Sequence, residues 1–244
     1  MSSPPLRHAV VTGASRGIGA AIAFALEAQG LRVTRLARNA RDGIIACDVT
    51  DAAAVSETFA EIRRRHGAID ILINNAGRAV TAPFATASVD SLRQMLDVNL
   101  IGAWQCTQTA LPDMQATGWG RIVNIASTAG LTGYAYTAAY CAAKHALVGF
   151  TRALARELAR SEITVNALCP GFTDTDMVAG AAAQLADRSG RSLQQARQSL
   201  AAFNPQQRFV RSEEVAAAAV WLCQPEAAAV TGQAISISGG EILT

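Results

Sequence analysis

Lysine is almost absent from this chain of 244 residues: 20 of its 21 basic residues are arginine, and Lys144 is the only lysine. Aromatic residues make up only 5%, and the three tyrosines fall in one short stretch at Tyr134, Tyr136 and Tyr140. With 19 acidic residues the net charge is +2, which lacks the basic excess typical of a nucleic-acid-binding domain. We therefore expect no nucleic-acid partner.

Long hydrophobic runs are also missing. The longest covers the nine residues 215–223, whereas a membrane-spanning helix needs about 20. Residues 1–8 are polar and contain proline, so they lack the apolar core of a secretory signal peptide. The five cysteines are odd in number and form no C-x-x-C pair, which fits reduced thiols in a reducing compartment. These absences predict a soluble cytoplasmic protein with no membrane partner.

The composition of the whole chain is typical of a globular protein with an apolar core, with 50% hydrophobic and only 16% charged residues. Short β-branched runs alternate with Ala- and Leu-rich stretches of helical periodicity, from a strand at 7–12 to a final strand at 234–238. Seven strands in alternation with helices predict an α/β fold, in which a doubly wound parallel sheet carries helices on both faces. No repeat or linker divides the chain, so we expect one domain over residues 1–244.

Two segments depart from this simple alternation. Residues 91–114 have the pattern of one long helix, although Asn99 within it has a poor helix propensity. Residues 174–202 form a polar, Ala-rich stretch that is too long for a connection inside an α/β unit. This stretch indicates a substrate lid at about 174–210 or, alternatively, an extra pair of surface helices.

A glycine-rich loop, TGASRGIG over residues 12–19, joins the first strand to the first helix. Gly13 permits a tight turn, Gly17 lets the backbone approach a pyrophosphate, and Gly19 allows close packing of the helix. The start of that helix offers N–H donors and a partial positive charge. The loop predicts a dinucleotide-binding site, the alternative being a glycine-rich turn without a ligand.

The position that distinguishes NAD(H) from NADP(H) has no carboxylate. An acidic residue for the ribose 2′-hydroxyl is expected about 20 residues past the loop, at the end of the second strand. Residues 36–39 read Leu-Ala-Arg-Asn there, and no acid occurs before Asp42. Arg38 and Arg16 are available instead for a 2′-phosphate. This pattern favours NADP(H); NAD(H) stays possible if both arginines are ordinary solvated side chains.

Tyr140 and Lys144 are four residues apart on a predicted helix, so their side chains share one face. A phenol has a pKa of about 10 and is a poor base at neutral pH. We expect the Lys144 ammonium, together with a nicotinamide charge, to lower the pKa of Tyr140 to about 7. Ser127 would then hydrogen-bond the substrate oxygen, and Asn99 could hold a water that links Lys144 to solvent. The alternative is a chance surface pair on a helix.

These motifs together resemble those of the short-chain dehydrogenase/reductase family, in its short single-domain branch. The matching segments are TGASRGIG (12–19), CDVT (47–50), NNAG (74–77), DVNL (97–100), NIAST (124–128), YCAAK (140–144), NALCPG (166–171) and the threonine at 175. The resemblance covers essentially the whole chain. It implies a seven-stranded Rossmann fold and a homotetramer or homodimer.

The resemblance also implies a role for each matching residue. Tyr140 would be the acid/base and Lys144 the ligand of the nicotinamide ribose, while Asp48 would contact the adenine amino group. The implied catalytic residues are Asn99, Ser127, Tyr140 and Lys144. The loop and the resemblance together give these cofactor-binding residues: Gly13, Ser15, Arg16, Gly17, Ile18, Gly19, Arg38, Asp48, Val49, Asn75, Ala76, Gly77, Tyr140, Lys144, Pro170, Gly171, Thr173 and Thr175. Among them, Asn75 and Gly77 would lie at the adenine ribose and Thr175 at the carboxamide. No metal is expected.

Three functions can be compared with these residues. Several segments look like those of 3-oxoacyl-thioester and polyketide ketoreductases, which implies NADP(H)-dependent reduction of an acyl-carrier-protein or CoA thioester. They are also similar to those of 3-hydroxyacyl-CoA dehydrogenases, which implies oxidation of such an alcohol or of another secondary alcohol with NAD(H). The third function, dinucleotide sensing without turnover, conflicts with the intact catalytic set.

The substrate pocket is expected to lie between residues 79–84, residues 131–137 and the lid. Its apolar character is predicted by Val80, Leu131, Tyr134, Val178 and Phe203. The lid arginines at 188, 191 and 197 could bind phosphates of CoA or a carrier protein, or could form a solvated helix face. The Ala-rich faces of 91–114 and 138–159 could build a subunit interface or pack against the sheet.

Overall fold

Strands and helices alternate along residues 6–243, the part of the chain that the computed structural model describes. The strands are β1 (His8–Thr12), β2 (Arg32–Ala37), β3 (Ile44–Ala46), β4 (Ile71–Asn74), β5 (Gly120–Ile125), β6 (Ile163–Pro170) and β7 (Ala234–Ile237). The helices are α1 (Gly17–Ala28), α2 (Ala52–His66), α3 (Val89–Leu96), α4 (Gly102–Thr117), α5 (Ala138–Glu157), α6 (Asp176–Ser189), α7 (Leu193–Ala201) and α8 (Ser212–Cys223). None of these helices is both long and apolar enough to cross a bilayer.

The seven strands form one parallel sheet in the order β3-β2-β1-β4-β5-β6-β7. The predicted doubly wound parallel sheet is thus confirmed. The order reverses between β1 and β4, because the chain returns from the β3 edge to the centre before continuing to the other edge. Open α/β sheets bind ligands outside the carboxyl ends of the strands at such a reversal.

Alternate residues of β1 face two separate cores. Val10 packs in the core that includes Phe59 of α2 and Met114 of α4. Its neighbours Ala9 and Val11 pack in the core formed with α1 and α8. Because successive side chains of a strand point to opposite faces and helices cover both, β1, β4, β5 and β6 are buried along their whole length.

The segment predicted as one helix at 91–114 is interrupted by a π-helical turn at Asp97–Ile101, between α3 and α4. A π turn shifts the backbone ladder from i−4 to i−5 acceptors. The carbonyl of Met95, four residues before Asn99, instead accepts a 2.9 Å hydrogen bond from Asn99 Nδ2. The apolar periodicity hardly changes across one wide turn, which is why the sequence pattern did not reveal it.

The long stretch at 174–202 forms the helix pair α6 and α7. Ser192 starts α7 with a capping box, in which its side chain accepts from Gln195 N and Gln195 bonds back to the Ser192 backbone. A parallel bridge between Thr173 and Val210 joins the two ends of this excursion. The segment that contains α6 and α7 therefore leaves and re-enters the fold beside the carboxyl end of β6.

Candidate active site

The glycine loop lies at the carboxyl end of β1 and is braced by the chain that follows β4. Thr12 Oγ1 accepts hydrogen bonds of 3.0 Å from both Asn75 N and Ala76 N. Asn75 Nδ2 donates to the carbonyl oxygens of Thr12 and Gly13 at 3.0 and 3.1 Å. Gly13 has a φ of +64°, and an added Cβ would lie 2.8 Å from Ala76 Cα. Both amide hydrogens of Asn75 are thus used to hold the loop.

The first turn of α1 is open toward the crevice. Its N-cap is Arg16, whose side chain caps no backbone N–H group. A Cβ at Gly17 would come within 3.2 Å of Thr175 Cγ2, so the loop runs close to the chain leaving β6. Uncapped N–H groups at the positive end of a helix suit an anionic pyrophosphate. The residues of the loop therefore fit a dinucleotide.

Arg16 and Arg38 have different partners in the protein. Arg16 Nη1 lies 2.8 Å from Asp176 Oδ2, in an exposed ion pair at the first residue of α6. Arg38 follows β2, and its charge contributes to a lowered pKa of Asp48, after the larger effect of the hydrogen bonds from Thr50. Arg38 therefore lies near Asp48, while Arg16 is turned toward α6.

Asp48 follows the short edge strand β3 and is exposed. Its Oδ1 accepts from Thr50 N at 2.9 Å and from Thr50 Oγ1 at 2.8 Å, and these bonds keep the carboxylate ionised at neutral pH. The next residue, Val49, is buried against Gly102 at the start of α4, where a Cβ would approach Val49 Cγ2 to 2.6 Å. This contact packs the chain that follows β3 against the start of α4.

A cleft of about 350 Å³ opens beside the glycine loop at the carboxyl ends of β4, β5 and β6. Its walls include all four predicted catalytic residues, Asn99, Ser127, Tyr140 and Lys144. They also include these predicted cofactor residues: Ile18, Asn75, Gly77, Pro170, Gly171, Thr173 and Thr175. A larger and more open groove of about 650 Å³ lies on α7 and contains none of these residues.

Ser127 starts a short 3-10 turn, Thr128–Gly130, directly after β5. Its Oγ accepts a 3.1 Å hydrogen bond from Ala129 N, so the hydroxyl proton remains free to be donated. Burial raises the pKa of Tyr140 to about 12, against a smaller lowering effect of the neighbouring Ser127 hydroxyl. The groups of the protein alone therefore do not bring this pKa to about 7, and the expected value relied also on a nicotinamide charge.

Lys144 is 4% exposed, and its ammonium is directed to the sheet. Nζ donates a 2.8 Å hydrogen bond to the carbonyl oxygen of Ile125 and lies 5.7 Å from the centroid of the Tyr140 ring. Burial lowers the pKa of Lys144 to about 8. An ammonium has three donors, so two hydrogens remain for other acceptors in the cleft.

The Asn99 side chain is hydrogen-bonded to the backbone at Arg78 and at Met95. Besides Met95, its Nδ2 donates to the Arg78 carbonyl at 2.9 Å, and its Oδ1 accepts from Arg78 N at 3.3 Å. A Cβ at Gly77 would lie 2.8 Å from Asn99 Oδ1. Both amide hydrogens are therefore used and Asn99 braces the backbone at 77–78, while Oδ1 keeps one lone pair that a water molecule would be able to donate to.

The expected pocket residues divide into two groups. Tyr134 and Val178 line the cleft, whereas Val80, Leu131 and Phe203 do not. Phe203 packs behind the wall, with its ring centroid 5.7 Å from that of Tyr134 and 5.3 Å from that of Phe172. Sequence reasoning missed Phe172 as a wall residue, although it directly follows the PG pair at 170–171.

Each of the three lid arginines has a partner within the protein. Arg188 donates to the Thr81 carbonyl at 3.1 Å, Arg191 to Ser199 Oγ at 3.2 Å, and Arg197 to Asp174 at 3.0 Å. These contacts favour a structural role for the arginines over phosphate binding.

A chain of buried polar side chains lies beneath the cleft, and the sequence analysis did not identify it. Asn74 Nδ2 donates to Thr107 Oγ1 and to Asn124 Oδ1, at 2.9 Å each. Asn124 Nδ2 in turn donates to Thr151 Oγ1 at 2.8 Å. The chain ties α4 and α5 to the two central strands that carry the site.

Comparisons with known proteins agree with this geometry. The family model for short chain dehydrogenase matches residues 7–186. A putative ketoacyl reductase of Streptomyces coelicolor is 40% identical, over 98% of both chains. A D-beta-hydroxybutyrate dehydrogenase of Cupriavidus necator is 35% identical, over 96% of this chain and 97% of that one. The solved structure of a variant actinorhodin polyketide ketoreductase with NADPH has a TM-score of 0.94 and 38% identity, over 99% of both chains. The resemblance is therefore confirmed, and the chain is an oxidoreductase of the short-chain dehydrogenase family.

Proposed function

We propose that the protein is an NADP(H)-dependent ketoreductase that acts on a 3-oxoacyl thioester of acyl-carrier protein or CoA, or on a related ketone. The observation that carries this proposal is the cleft that unites Ser127, Tyr140 and Lys144 beside the open first turn of α1. Support for the substrate comes from the ketoacyl reductase at 40% identity, and support for the cofactor from the ketoreductase solved with NADPH.

In this mechanism the bound dinucleotide supplies the hydride to the substrate carbon. Ser127 donates its free hydroxyl proton in a hydrogen bond to the ketone oxygen and holds it beside Tyr140. Tyr140 then transfers its phenolic proton to that oxygen as negative charge develops there. A pKa raised to about 12 keeps Tyr140 protonated at neutral pH, which is the state that reduction requires.

In this proposal Lys144 binds the cofactor and Asn99 supports the wall of the cleft. The two free hydrogens of Lys144 Nζ hold the hydroxyl groups of the nicotinamide ribose, while its charge stabilises the phenolate left after proton transfer. Asn99 fixes the backbone at 77–78, which forms part of the wall of the cleft. The remaining cofactor contacts are proposed at Gly13, Ser15, Arg16, Gly17, Ile18, Gly19, Arg38, Asp48, Val49, Asn75, Ala76, Gly77, Pro170, Gly171, Thr173 and Thr175.

We also propose that residues 174–210 act as a substrate lid in a single domain. Thr81 Oγ1 donates to Gln184 Oε1 of α6 at 3.1 Å, and Arg188 donates to the Thr81 carbonyl. These two bonds hold α6 against the loop 79–84 at the mouth of the cleft. Opening and closing of α6 would then control entry of the ketone.

A homotetramer is the proposed assembly. Ile101 and Trp104 are 42% and 52% exposed, and the Trp104 ring lies 5.0 Å from that of Phe150 on α5. Exposed apolar groups on neighbouring helices suit a symmetric partner. All five cysteines are free thiols, which supports the proposed cytoplasmic location.

A second candidate is a dehydrogenase that oxidises a 3-hydroxyacyl-CoA or another secondary alcohol with NAD(H). Two observations favour it: Arg16 is engaged by Asp176, and a D-beta-hydroxybutyrate dehydrogenase is 35% identical. The chemistry of Ser127, Tyr140 and Lys144 is the same in both directions, so the substrate and the cofactor separate the two candidates.

A substrate panel tests the proposal. Acetoacetyl-CoA, a cyclic ketone and an aryl ketone are supplied with NADPH or NADH, and oxidation of the nicotinamide is followed by absorbance. We expect the highest kcat/KM with NADPH, and a loss of at least about 100-fold in Tyr140→Phe, which removes only the proton donor. A higher kcat/KM with NADH would favour the second candidate, and no turnover of any ketone or alcohol would overturn both.

A further inference from the structure

Glu241, in the turn after β7, places a carboxyl group inside the protein. Gly239 and Gly240 have φ values of +63° and +94°, so the chain reverses there and returns Glu241 toward the end of β6. Glu241 Oε2 is buried and has no hydrogen-bond partner among residues 6–243. A Cβ at Gly171 would come within 2.9 Å of this oxygen. The proposed mechanism does not use this carboxyl.

The other oxygen of Glu241 is bonded to a wall of the cleft. Tyr134 Oη hydrogen-bonds Glu241 Oε1 and lies 2.7 Å from Thr128 Oγ1. A phenol has one proton, and a carboxylate can only accept hydrogen bonds. The Tyr134 proton is therefore directed to Glu241, and the Thr128 hydroxyl donates to Tyr134.

This hydrogen bond fixes which part of Tyr134 faces a ligand. Tyr134, Thr128 and Phe172 line the same cleft as Ser127. The Tyr134 ring packs edge-on against Phe172 at 6.1 Å and against Phe203 at 5.7 Å. Because the hydroxyl is bonded to the C-terminal turn, the ring carbons remain as the apolar part of Tyr134 in the wall of the cleft.

We propose that Glu241 is a positioning residue that sets the substrate preference of the cleft through Tyr134. It holds the phenol so that the ring supports a bulky apolar group attached to the ketone. A small acyl group does not reach this wall and gains no binding energy from it. The inference rests on the proposed function, because it assumes that a ketone binds in this cleft. Ser127 and Tyr140 lie outside this contact, so the chemical step itself is left intact.

The kinetic test uses the full-length protein with NADPH and two ketones, bicyclic 1-tetralone and acetoacetyl-CoA. We expect Glu241→Leu to raise KM for 1-tetralone about tenfold, with kcat nearly unchanged. A tenfold change corresponds to the free energy of one lost hydrogen bond. The constants for acetoacetyl-CoA should stay close to those of the unmodified protein. Glu241→Gln keeps an acceptor oxygen and should restore KM. The exposed Glu226, replaced by Gln, is the matched control.

Variants of Tyr134 test whether Glu241 acts through the phenol. Tyr134→Phe keeps the ring and removes the hydroxyl, so it should reproduce the KM increase of Glu241→Leu. The double variant should then be no worse than either single variant. If Glu241→Leu fails to fold, Tyr134→Phe and Glu241→Gln still give the kinetic comparison. Additive losses would overturn the inference.

A spectroscopic test needs no substrate. The chain has only three tyrosines, so carbon-13 at tyrosine Cζ gives three resonances, which tyrosine-to-phenylalanine variants assign. Glu241→Leu should move the Tyr134 resonance and leave that of the exposed Tyr136 in place. If the variant only loosened the C-terminal turn and the hydrogen bond did not exist, the change would not be specific to the Tyr134 resonance.

The two tests separate failure of the inference from failure of the proposed function. If the unmodified protein reduces neither ketone, the proposed function fails, and the Tyr134 resonance alone decides whether Glu241 holds the phenol. If the protein is active, an unchanged KM in Glu241→Leu, an equal loss for both ketones, or an unmoved Tyr134 resonance each overturns the inference.

Discussion

The Lys144 ammonium is bonded to the carbonyl oxygen of Ile125 at 2.8 Å and lies 5.7 Å from the centre of the Tyr140 ring. The lysine therefore joins the end of β5 to the face of the tyrosine, without pairing with its hydroxyl. Since the pKa of Lys144 is lowered to about 8, the side chain is protonated in most molecules near neutral pH. Its charge is thus available to a phenolate that forms during the reaction.

Replacing Lys144 by arginine tests this assignment. The charge is retained, but a planar guanidinium does not fit a site built for an ammonium that is 4% exposed. We expect kcat to fall by at least about 100-fold, measured with the best ketone of the panel. Arg152→Lys, an exposed exchange on the same helix, is the control. Near-normal kcat in Lys144→Arg would contradict the assigned role.

The Arg16–Asp176 ion pair predicts a cofactor-specific effect. Asp176→Asn releases Arg16, and an exposed pair is worth at most about 1 kcal/mol, so NADPH should bind up to about fivefold more tightly. Arg16→Ala should weaken NADPH binding about tenfold or more. Isothermal titration calorimetry with both cofactors measures these changes. The same change for NADH would show that Arg16 does not contact the 2′-phosphate.

His8 makes stability depend on pH. Burial, with a smaller effect of the neighbouring His66, lowers the pKa of His8 to about 4 in the folded protein, from 6.5 for a free histidine. The folded state therefore holds His8 neutral. The stability that the neutral His8 contributes is fully present above pH 6.5 and is lost as the pH falls toward 4. Below pH 4 it changes no further.

Urea unfolding at pH 7 and at pH 4.5 measures this loss. The unmodified protein should lose more unfolding free energy between these conditions than His8→Gln, which cannot take up the proton. His145→Gln, at an exposed position of α5, should behave like the unmodified protein. Equal losses in the unmodified protein and His8→Gln would rule out His8 as the source.

The buried polar chain beneath the cleft should contribute strongly to stability. Asn124→Ala removes the link between Asn74 and Thr151, so that one amide hydrogen of Asn74 and the acceptor side of Thr151 Oγ1 lose their partner. We expect a loss of about 2–4 kcal/mol in the free energy of unfolding, from guanidinium titration. Asn39→Ala, at an exposed position, should change it by less than about 0.5 kcal/mol. A similarly small change in Asn124→Ala would contradict this role.

Much of the fold could be predicted because its signals are local. The order of strands and helices follows from apolar periodicity, and Gly13 is required by a positive φ and by contact with Ala76. The π turn at Asp97–Ile101 could not be found, because one wide turn barely alters that periodicity. Only the bond from Asn99 to Met95 reveals the displaced ladder.

The candidate site was predicted as a set of residues but not as a set of contacts. The sequence indicated that Ser127, Tyr140 and Lys144 belong together, and the cleft contains them. It gave no sign that Lys144 bonds to a strand end, or that Arg16 turns to α6, since both depend on elements far apart in the chain. Burial, which dominates the pKa of Tyr140, likewise arises only when the chain is folded.

The scarcity of lysine has a practical consequence for chemical modification. Lys144 carries the only ε-amino group of the chain, and that group lies inside the cleft. An amine-selective acylating reagent meets no competing side chain on the surface, because arginine does not react. Beyond any label on the N-terminal amine, a single mass increment would therefore report how open the cleft is, and bound cofactor should slow its appearance.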